Sequence, residues 1–294
     1  MEGIQLHYKT YKSILSPQNG MNLYCGCTHG CIYCDSRSKC YQMDHDFEDI
    51  EIKENACFIL ESQLIKKRNK AMISTGSMCD PYIPLEKTIK LTRSSLEVIE
   101  KHGFGVSVLT KSATVLNDLD ILKRINEKAR TVIQMTLTTY DESLCQILEP
   151  FVSTTKERFE ALKVFRDHKI PCVVWFDPLL PYINDTEENL RGILNYCIEA
   201  DVKGIIFFGI GLTLREGNRE YFYQKLDEHF PGLRVKYEKT YGNNYVIMSP
   251  NNEKLSKLFH DICEKHHIIY EPNQVFAYLH EFHEKKEYEQ LTLF

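Results

Sequence analysis

No apolar run in this chain is long enough to cross a bilayer: the longest, Gly204 to Leu214, is about half of the roughly 20 residues that a helical span needs. The chain also lacks a basic excess. Its 36 Lys and Arg residues face 41 Asp and Glu, for a net charge of -5 and a pI near 6.1, which argues against a strong non-specific nucleic-acid footprint. The one basic run, Lys66-Lys67-Arg68-Asn69-Lys70, reads as a solvated helix end. Low-complexity tracts and linkers are missing, and no charged-then-apolar leader follows Met1-Glu2-Gly3. Eleven cysteines, an odd number in a chain of 294 residues, do not suggest a disulfide framework, so reduced thiols and a cytoplasmic location with no membrane partner are expected. A hydrophobic content of 43% is ample for one large α/β domain, or a barrel with a small appendage.

Against these absences stands one dense motif. The run Cys27-Thr28-His29-Gly30-Cys31-Ile32-Tyr33-Cys34 sets three cysteines in a C-x3-C-x2-C spacing. Four thiolates around a [4Fe-4S] cube suit electron transfer, whereas three leave one iron free to coordinate a small molecule. A structural zinc site is the competing reading, since Cys25 and Cys40 bring the local thiols to five, more than tetrahedral zinc needs. Zinc ribbons, however, draw two C-x2-C knuckles from separated hairpins, and these five fall in one short segment. With the preceding Asn22-Leu23-Tyr24-Cys25-Gly26, the segment resembles the radical S-adenosylmethionine (SAM) superfamily. That resemblance implies an enzyme whose [4Fe-4S] cluster is held by Cys27, Cys31 and Cys34 and cleaves SAM reductively to a 5'-deoxyadenosyl radical. It also implies an external one-electron reductant of flavodoxin or ferredoxin type. His29, inside the loop, is expected to tune the cluster by hydrogen bonding rather than to ligate it.

Short apolar runs alternate with amphipathic stretches through most of the chain. Met21 to Cys25, Ala71 to Thr75, Gly103 to Thr110, Thr131 to Leu137, Pro171 to Pro181 and Gly204 to Leu212 are expected as six buried parallel strands. One helix is expected to carry Leu85, Ile89, Thr92, Leu96 and Ile99 on one face, and another Leu190, Ile193, Leu194, Cys197 and Ile198. Repeated β-then-α units favour a parallel sheet, doubly wound or bent into a barrel. The resemblance selects the barrel, a partial (β/α)6 TIM-type barrel over residues 1–230, in which the cysteine loop follows the first strand. From about Phe230 the pattern changes. Arg234 to Tyr237 and Tyr245 to Met248 read as strands around Gly242-Asn243-Asn244, and Leu255, Leu258, Phe259 and Ile262 as a short helix. Residues 231–294 are therefore expected to form a small α+β extension closing the barrel, ending in Glu289 to Phe294 as a docked tail or a disordered end.

A finer resemblance, over roughly residues 20–230, is to the spore photoproduct lyase-like branch, also described as DNA repair photolyase-like. It is carried by Gly76-Ser77-Met78-Cys79-Asp80-Pro81-Tyr82, Leu91-Thr92-Arg93, Leu109-Thr110-Lys111-Ser112, Thr136-Leu137-Thr138-Thr139, Leu148-Glu149-Pro150 and Pro178-Leu179-Leu180-Pro181 with Asn184-Asp185. The resemblance implies that Cys79 and Asp80 line the SAM pocket, that Lys111 faces the SAM carboxylate, and that Thr136 offers a hydroxyl to the SAM ribose or methionine. Cys79 is also the candidate catalytic hydrogen donor, although the branch's donor position falls at Ser77 when the shared aspartate is aligned with Asp80. The two positions share a face if the chain is extended there. Asp177 and Asp80 are candidates either for binding or for capping turns. Arg37 is read as a cation near the cluster or as a surface residue, and Cys25, where relatives carry arginine, as a spectator or a competitor for iron. Tyr82, Tyr140, Tyr182 and Tyr241 are relay or packing residues. The implied substrate is a DNA lesion or nucleobase. Alternatives are a small molecule, a peptide or RNA, or a non-catalytic metal-binding or redox-sensing role.

Overall fold

The computed structural model of the protein describes residues 5–284, so the expected tail Glu289 to Phe294 lies outside the described residues. The strands are β1 (Leu6–Lys9), β2 (Gly20–Met21), β3 (Tyr24–Cys25), β4 (Ile50–Lys53), β5 (Met72–Thr75), β6 (Gly105–Thr110), β7 (Thr131–Thr136), β8 (Cys172–Trp175), β9 (Gly204–Ile206), β10 (Gly211–Thr213) and β11 (Val246–Met248). The helices are α1 (Ala56–Lys66), α2 (Glu86–Ile89), α3 (Leu91–Lys101), α4 (Leu119–Lys128), α5 (Glu142–Leu148), α6 (Thr155–Asp167), α7 (Glu187–Glu199), α8 (Asn218–His229), α9 (Leu233–Tyr241), α10 (Asn252–Lys265) and α11 (Pro272–His280).

Six strands, in the order β2-β5-β6-β7-β8-β9, form one wholly parallel sheet. Val106, Val108, Val132, Ile133, Val173, Val174 and Ile205 are buried in it, as strands covered on both faces require. Amphipathic helices cover its outside: Leu96 and Ile99 of α3, Ile121, Leu122 and Ile125 of α4, Leu162 and Phe165 of α6, and Leu190, Ile193 and Leu194 of α7 all join the main core. Among the described residues β2 and β9 are not paired with each other, so this is a partial TIM-type barrel, as expected. A separate cluster packs Val275 and Leu279 of α11 against Met72, Val132, Val173 and Ile206. Arg130 secures this helix by donating to the carbonyls of Tyr278 and Glu281.

Several boundaries differ from the sequence reading. Met21 to Cys25 is not one strand: Met21 pairs with β5, whereas β3 pairs antiparallel with β4, which is itself parallel to β1. β1 and β4 were not foreseen. The face from Leu85 to Ile99 is carried by two helices, because Lys90 adopts a left-handed conformation (φ 55°) between α2 and α3. Of Pro171 to Pro181, only Cys172–Trp175 is a strand. Gly204 to Leu212 also breaks in two: β9 stays in the barrel, and β10 leaves to pair antiparallel with β11. Arg234 to Tyr237 belongs to α9 rather than to a strand. Leu233, Tyr237 and Tyr241 all pack into the neighbouring apolar cluster, while Val235 and Lys239, which a strand would place on that same face, are exposed, as a helical period requires.

Candidate active site

The carboxyl ends of β5 to β9 surround a cavity of about 480 Å³, within the usual size for a small-molecule site. Cys27, Cys31 and Cys34 line it together, as do Asp80, Lys111 and Thr136 from the ends of successive strands. Gly76 makes the turn that brings the segment after β5 into the cavity: its φ is +96°, and a Cβ there would lie 2.0 Å from the Leu109 carbonyl oxygen. In consequence Ser77, Met78 and Asp80 face the cavity. Cys79 is buried but does not line it; its thiol donates toward Cys27 and, at 3.6 Å, to the Asp80 carbonyl oxygen. Extended geometry, which would have set residues 77 and 79 on one face, is not present in this bend.

Asp80 is fully committed. Its Oδ1 accepts from the Tyr82 amide (2.8 Å) and the Thr110 hydroxyl (2.7 Å), while Oδ2 accepts from the Lys111 amide (2.7 Å) and lies 3.5 Å from His29 Nδ1. Burial drives the His29 pKa down, but the charges of Asp80 and Cys27 outweigh it and push the imidazole up to about 9. A protonated His29 therefore joins Asp80 to the Cys27 sulfur. The Cys79 thiol, chiefly, with His29 beside it, holds Cys27 well below the ordinary thiol value despite burial. At Cys31 and Cys34 burial dominates and pushes the thiols up, with Lys111 opposing it at both. Burial also lowers the Lys111 pKa, yet the charges of Cys31 and Glu149 outweigh it, so the ammonium is retained inside the cavity.

This donor set suits a cluster better than a single ion. Among the described residues, Asp44, His45 and Glu51 form the only group of three that brings its ligand atoms within 4.8 Å of one another, so no three cysteine sulfurs are that close. Zinc bonds of 2.3 Å at tetrahedral angles would require thiolates about 3.8 Å apart. A four-iron cube spreads three thiolates more widely and supplies the positive charge that lets buried thiols ionise. Cys27, Cys31 and Cys34 would hold it, with the Lys111 ammonium lining the same cavity.

Other candidates fall elsewhere. Arg37 stacks between the rings of Phe47 (4.3 Å) and Tyr221 (3.8 Å) and pairs with Glu48. Cys25 bonds weakly to the Tyr11 hydroxyl at 4.0 Å, and Cys40 accepts from Arg215 at 3.2 Å; neither lines the cavity. None of Tyr82, Tyr140, Tyr182 and Tyr241 lines it either. Asp177 does, and, unlike Asp80, it makes no side-chain hydrogen bond or ion pair among the described residues. Burial raises its carboxyl pKa to about 7, against the pull of Lys111. At the mouth, Trp175, Phe208, Val246 and Met248 add an apolar rim, with Phe208 and Val246 each more than half exposed. The sequence reading missed this rim, since the exposed apolar residues come from two separated segments that meet only through the β10–β11 pair.

A parallel-stranded partial barrel thus sets three cysteines and an ammonium together at the carboxyl ends of its strands. The radical SAM superfamily model matches residues 21–196, and the chain belongs to that superfamily, whose cofactors are a [4Fe-4S] cluster and SAM. An uncharacterized protein of Methanocaldococcus jannaschii is 31% identical over 169 residues, 57% of this chain and 62% of that protein, so the match spans less than two thirds of the relative. Uncharacterized proteins of Mycobacterium bovis and Mycobacterium tuberculosis are 24% identical over 91% of this chain and 82% of theirs. Among solved structures, a spore photoproduct lyase variant with bound AdoMet and dinucleoside spore photoproduct matches with a TM-score of 0.61 at 15% identity, covering 88% of this chain and 78% of that one. A second variant reaches 0.63 at 15% identity over 90% and 81%. These likenesses concern the fold. No helix among the described residues is long and apolar enough to cross a membrane.

Proposed function

We propose that the protein generates a 5'-deoxyadenosyl radical and uses it to abstract hydrogen from a substrate carrying a nucleobase, seated at the apolar rim. The observation that supports this most directly is the shared cavity of Cys27, Cys31, Cys34 and Lys111. When bound, the cluster supplies the single electron that splits SAM into methionine and the adenosyl radical. The protein's own part is to hold and orient. Lys111 pairs with the SAM carboxylate, and Thr136, at the end of β7, contributes a hydroxyl beside it. Asp177, unpartnered and close to half-protonated at neutral pH, is suited to exchange a hydrogen bond with a polar edge of the bound molecule. Trp175 and Phe208, with ring centroids 6.3 Å apart, offer faces for a flat ring and exclude water.

Cys79 serves Cys27 in this reading and does not face substrate. Apart from the three proposed ligands, no cysteine among the described residues lines the cavity, so the product radical regains hydrogen from 5'-deoxyadenosine or from a group arriving with the substrate. The electron donor is a flavodoxin or ferredoxin.

The test is anaerobic reconstitution with iron and sulfide, then SAM and dithionite, with 5'-deoxyadenosine measured against Cys31→Ala. Formation that depends on Cys31 supports the reading. Its absence from a fully loaded protein, with dinucleoside spore photoproduct, free nucleosides and a short oligonucleotide each tried as substrate, sinks the nucleobase assignment.

A further inference from the structure

Leu148-Glu149-Pro150-Phe151, the last residue of α5 and the three that follow it, lies more than a hundred residues from the cysteine loop in sequence and against it in space. Four contacts join them. The Ile32 amide donates to the Leu148 carbonyl at 3.0 Å, and the Phe151 amide donates to the His29 carbonyl at 3.1 Å. The Tyr33 hydroxyl donates to Glu149 Oε1. Gly30, at φ +70°, sits so close that a Cβ there would meet the Pro150 and Phe151 side chains at 3.0 Å. Each contact falls on a residue within the cysteine motif, between Cys27 and Cys34.

Behind this seam is an ion pair with no exposure at either partner: the Arg158 and Glu149 side chains are both 0% accessible. One guanidinium nitrogen of Arg158 binds Glu149 Oε2. A second donates at 2.7 Å to the carbonyl of Thr136, the last residue of β7 and part of the cavity wall. Cys145 also accepts from Arg158 at 3.1 Å, and the Thr138 hydroxyl reaches Glu149 at 3.5 Å. The pair is thus bonded to both walls of the cofactor cavity, the loop that carries the thiols and the strand end opposite.

We propose that Glu149 and Arg158 are positioning residues that fix the cysteine loop through Tyr33 and the end of β7 through Thr136, so that the three thiolates stand ready for the cluster before iron arrives. A buried ion pair is seldom a net source of stability compared with apolar packing, so its retention here calls for a positional reason. A two-sided, charge-assisted anchor of fixed geometry supplies one.

The experiment uses the anaerobically reconstituted full chain. Tyr33→Phe keeps the ring and its packing and removes only the hydroxyl bonded to Glu149. Its unfolding midpoint should fall by about 3 to 6 °C, as a lost hydrogen bond to a charged group costs in a chain of this size, while the rate at which an iron chelator strips the cluster should rise roughly 10- to 100-fold, more than that destabilisation alone gives. The electron paramagnetic resonance lines of its reduced cluster should broaden as the loop samples more than one arrangement. Gly30→Ala, which disturbs the same seam without touching the ion pair, should raise the stripping rate as well. Stripping rates within twofold of the parent in both variants would overturn the proposal. So would a stripping rate in Tyr33→Phe that rises only in proportion to a lowered unfolding midpoint, with the spectrum unchanged, since that is what general destabilisation produces. The readouts are iron release and the spectrum, so failure here is distinguishable from failure to make 5'-deoxyadenosine.

Discussion

Replacing Asp177 with asparagine should make the protein more stable, and increasingly so as the pH rises. Burial at the end of β8 raises the carboxyl pKa from its ordinary 3.8 to about 7, with Lys111 pulling the other way. The folded state therefore binds a proton that the unfolded chain releases at lower pH. The sign follows: a group whose folded pKa is raised contributes fully below the unfolded value, and that contribution is lost as the pH climbs through the folded one. A gap of about 3 units at 1.36 kcal/mol each corresponds to about 4 kcal/mol lost by pH 8.5, of which only about 1.5 kcal/mol is already lost at pH 5. Water at the cavity mouth screens part of this, so both figures are upper bounds. Asparagine keeps the shape and carries no proton equilibrium. Urea unfolding of cluster-free parent and Asp177→Asn, run at half-unit steps from pH 5 to 8.5, should give stability curves that diverge by up to about 2.5 kcal/mol across the range. Parallel curves, with a difference constant to about 0.5 kcal/mol, would refute the claim that Asp177 is an unpartnered, half-buried carboxyl.

Lys111→Ala should weaken SAM binding roughly 10- to 100-fold by equilibrium dialysis while leaving iron content intact; iron loss would mean that the lysine supports the cluster site and not the SAM carboxylate. Cys79→Ala should still load iron to the parental level, because Cys79 stands behind Cys27 and outside the cavity; an iron content as low as that of Cys31→Ala would make it a ligand. Arg158→Met should cost about 3–5 kcal/mol in urea unfolding because it leaves Glu149 charged and buried without its partner, whereas Arg158→Met combined with Glu149→Leu should recover most of that loss. If the double variant were no better than the single one, the cost would lie in packing and not in the stranded charge.

The parts of the site that were legible in the sequence are those whose information is local. Cys27, Cys31 and Cys34 announce themselves by spacing, Lys111 and Thr136 come from the branch resemblance carried by the short motifs around them, and Asp177 stands beside a proline within a β-run, where a parallel α/β layout brings strand ends together. Boundaries failed where one residue or a distant partner decided them. Nothing in the periodicity of Leu85 to Ile99 distinguishes one helix from two, because the break is the backbone conformation of Lys90 and not the apolar pattern. The Arg234 to Tyr237 stretch alternates charged and apolar residues like a strand, yet Val235, which a strand would bury beside Leu233 and Tyr237, is half exposed, and the segment is a helix. Asp80 and Asp177 look alike in sequence, each beside a proline at a strand end, and only the structure separates the saturated carboxylate from the free one.

The Glu149–Arg158 anchor lay furthest from view, and the reason is general. An arginine among Phe159, Leu162 and Phe165 on α6 reads by composition as the solvent face of an amphipathic helix, since arginine is rarely fully buried without a partner. Its partner, nine residues earlier, is past the i+3 and i+4 spacing at which helix neighbours can be paired from sequence. The third member, Tyr33, is 116 residues from Glu149. Composition, period and spacing each see only a short window, so a site's reactive groups, grouped by motif, can be read early. The groups that hold a motif in place come from wherever the fold returns to it, and a buried charge is the mark by which a structure reveals them.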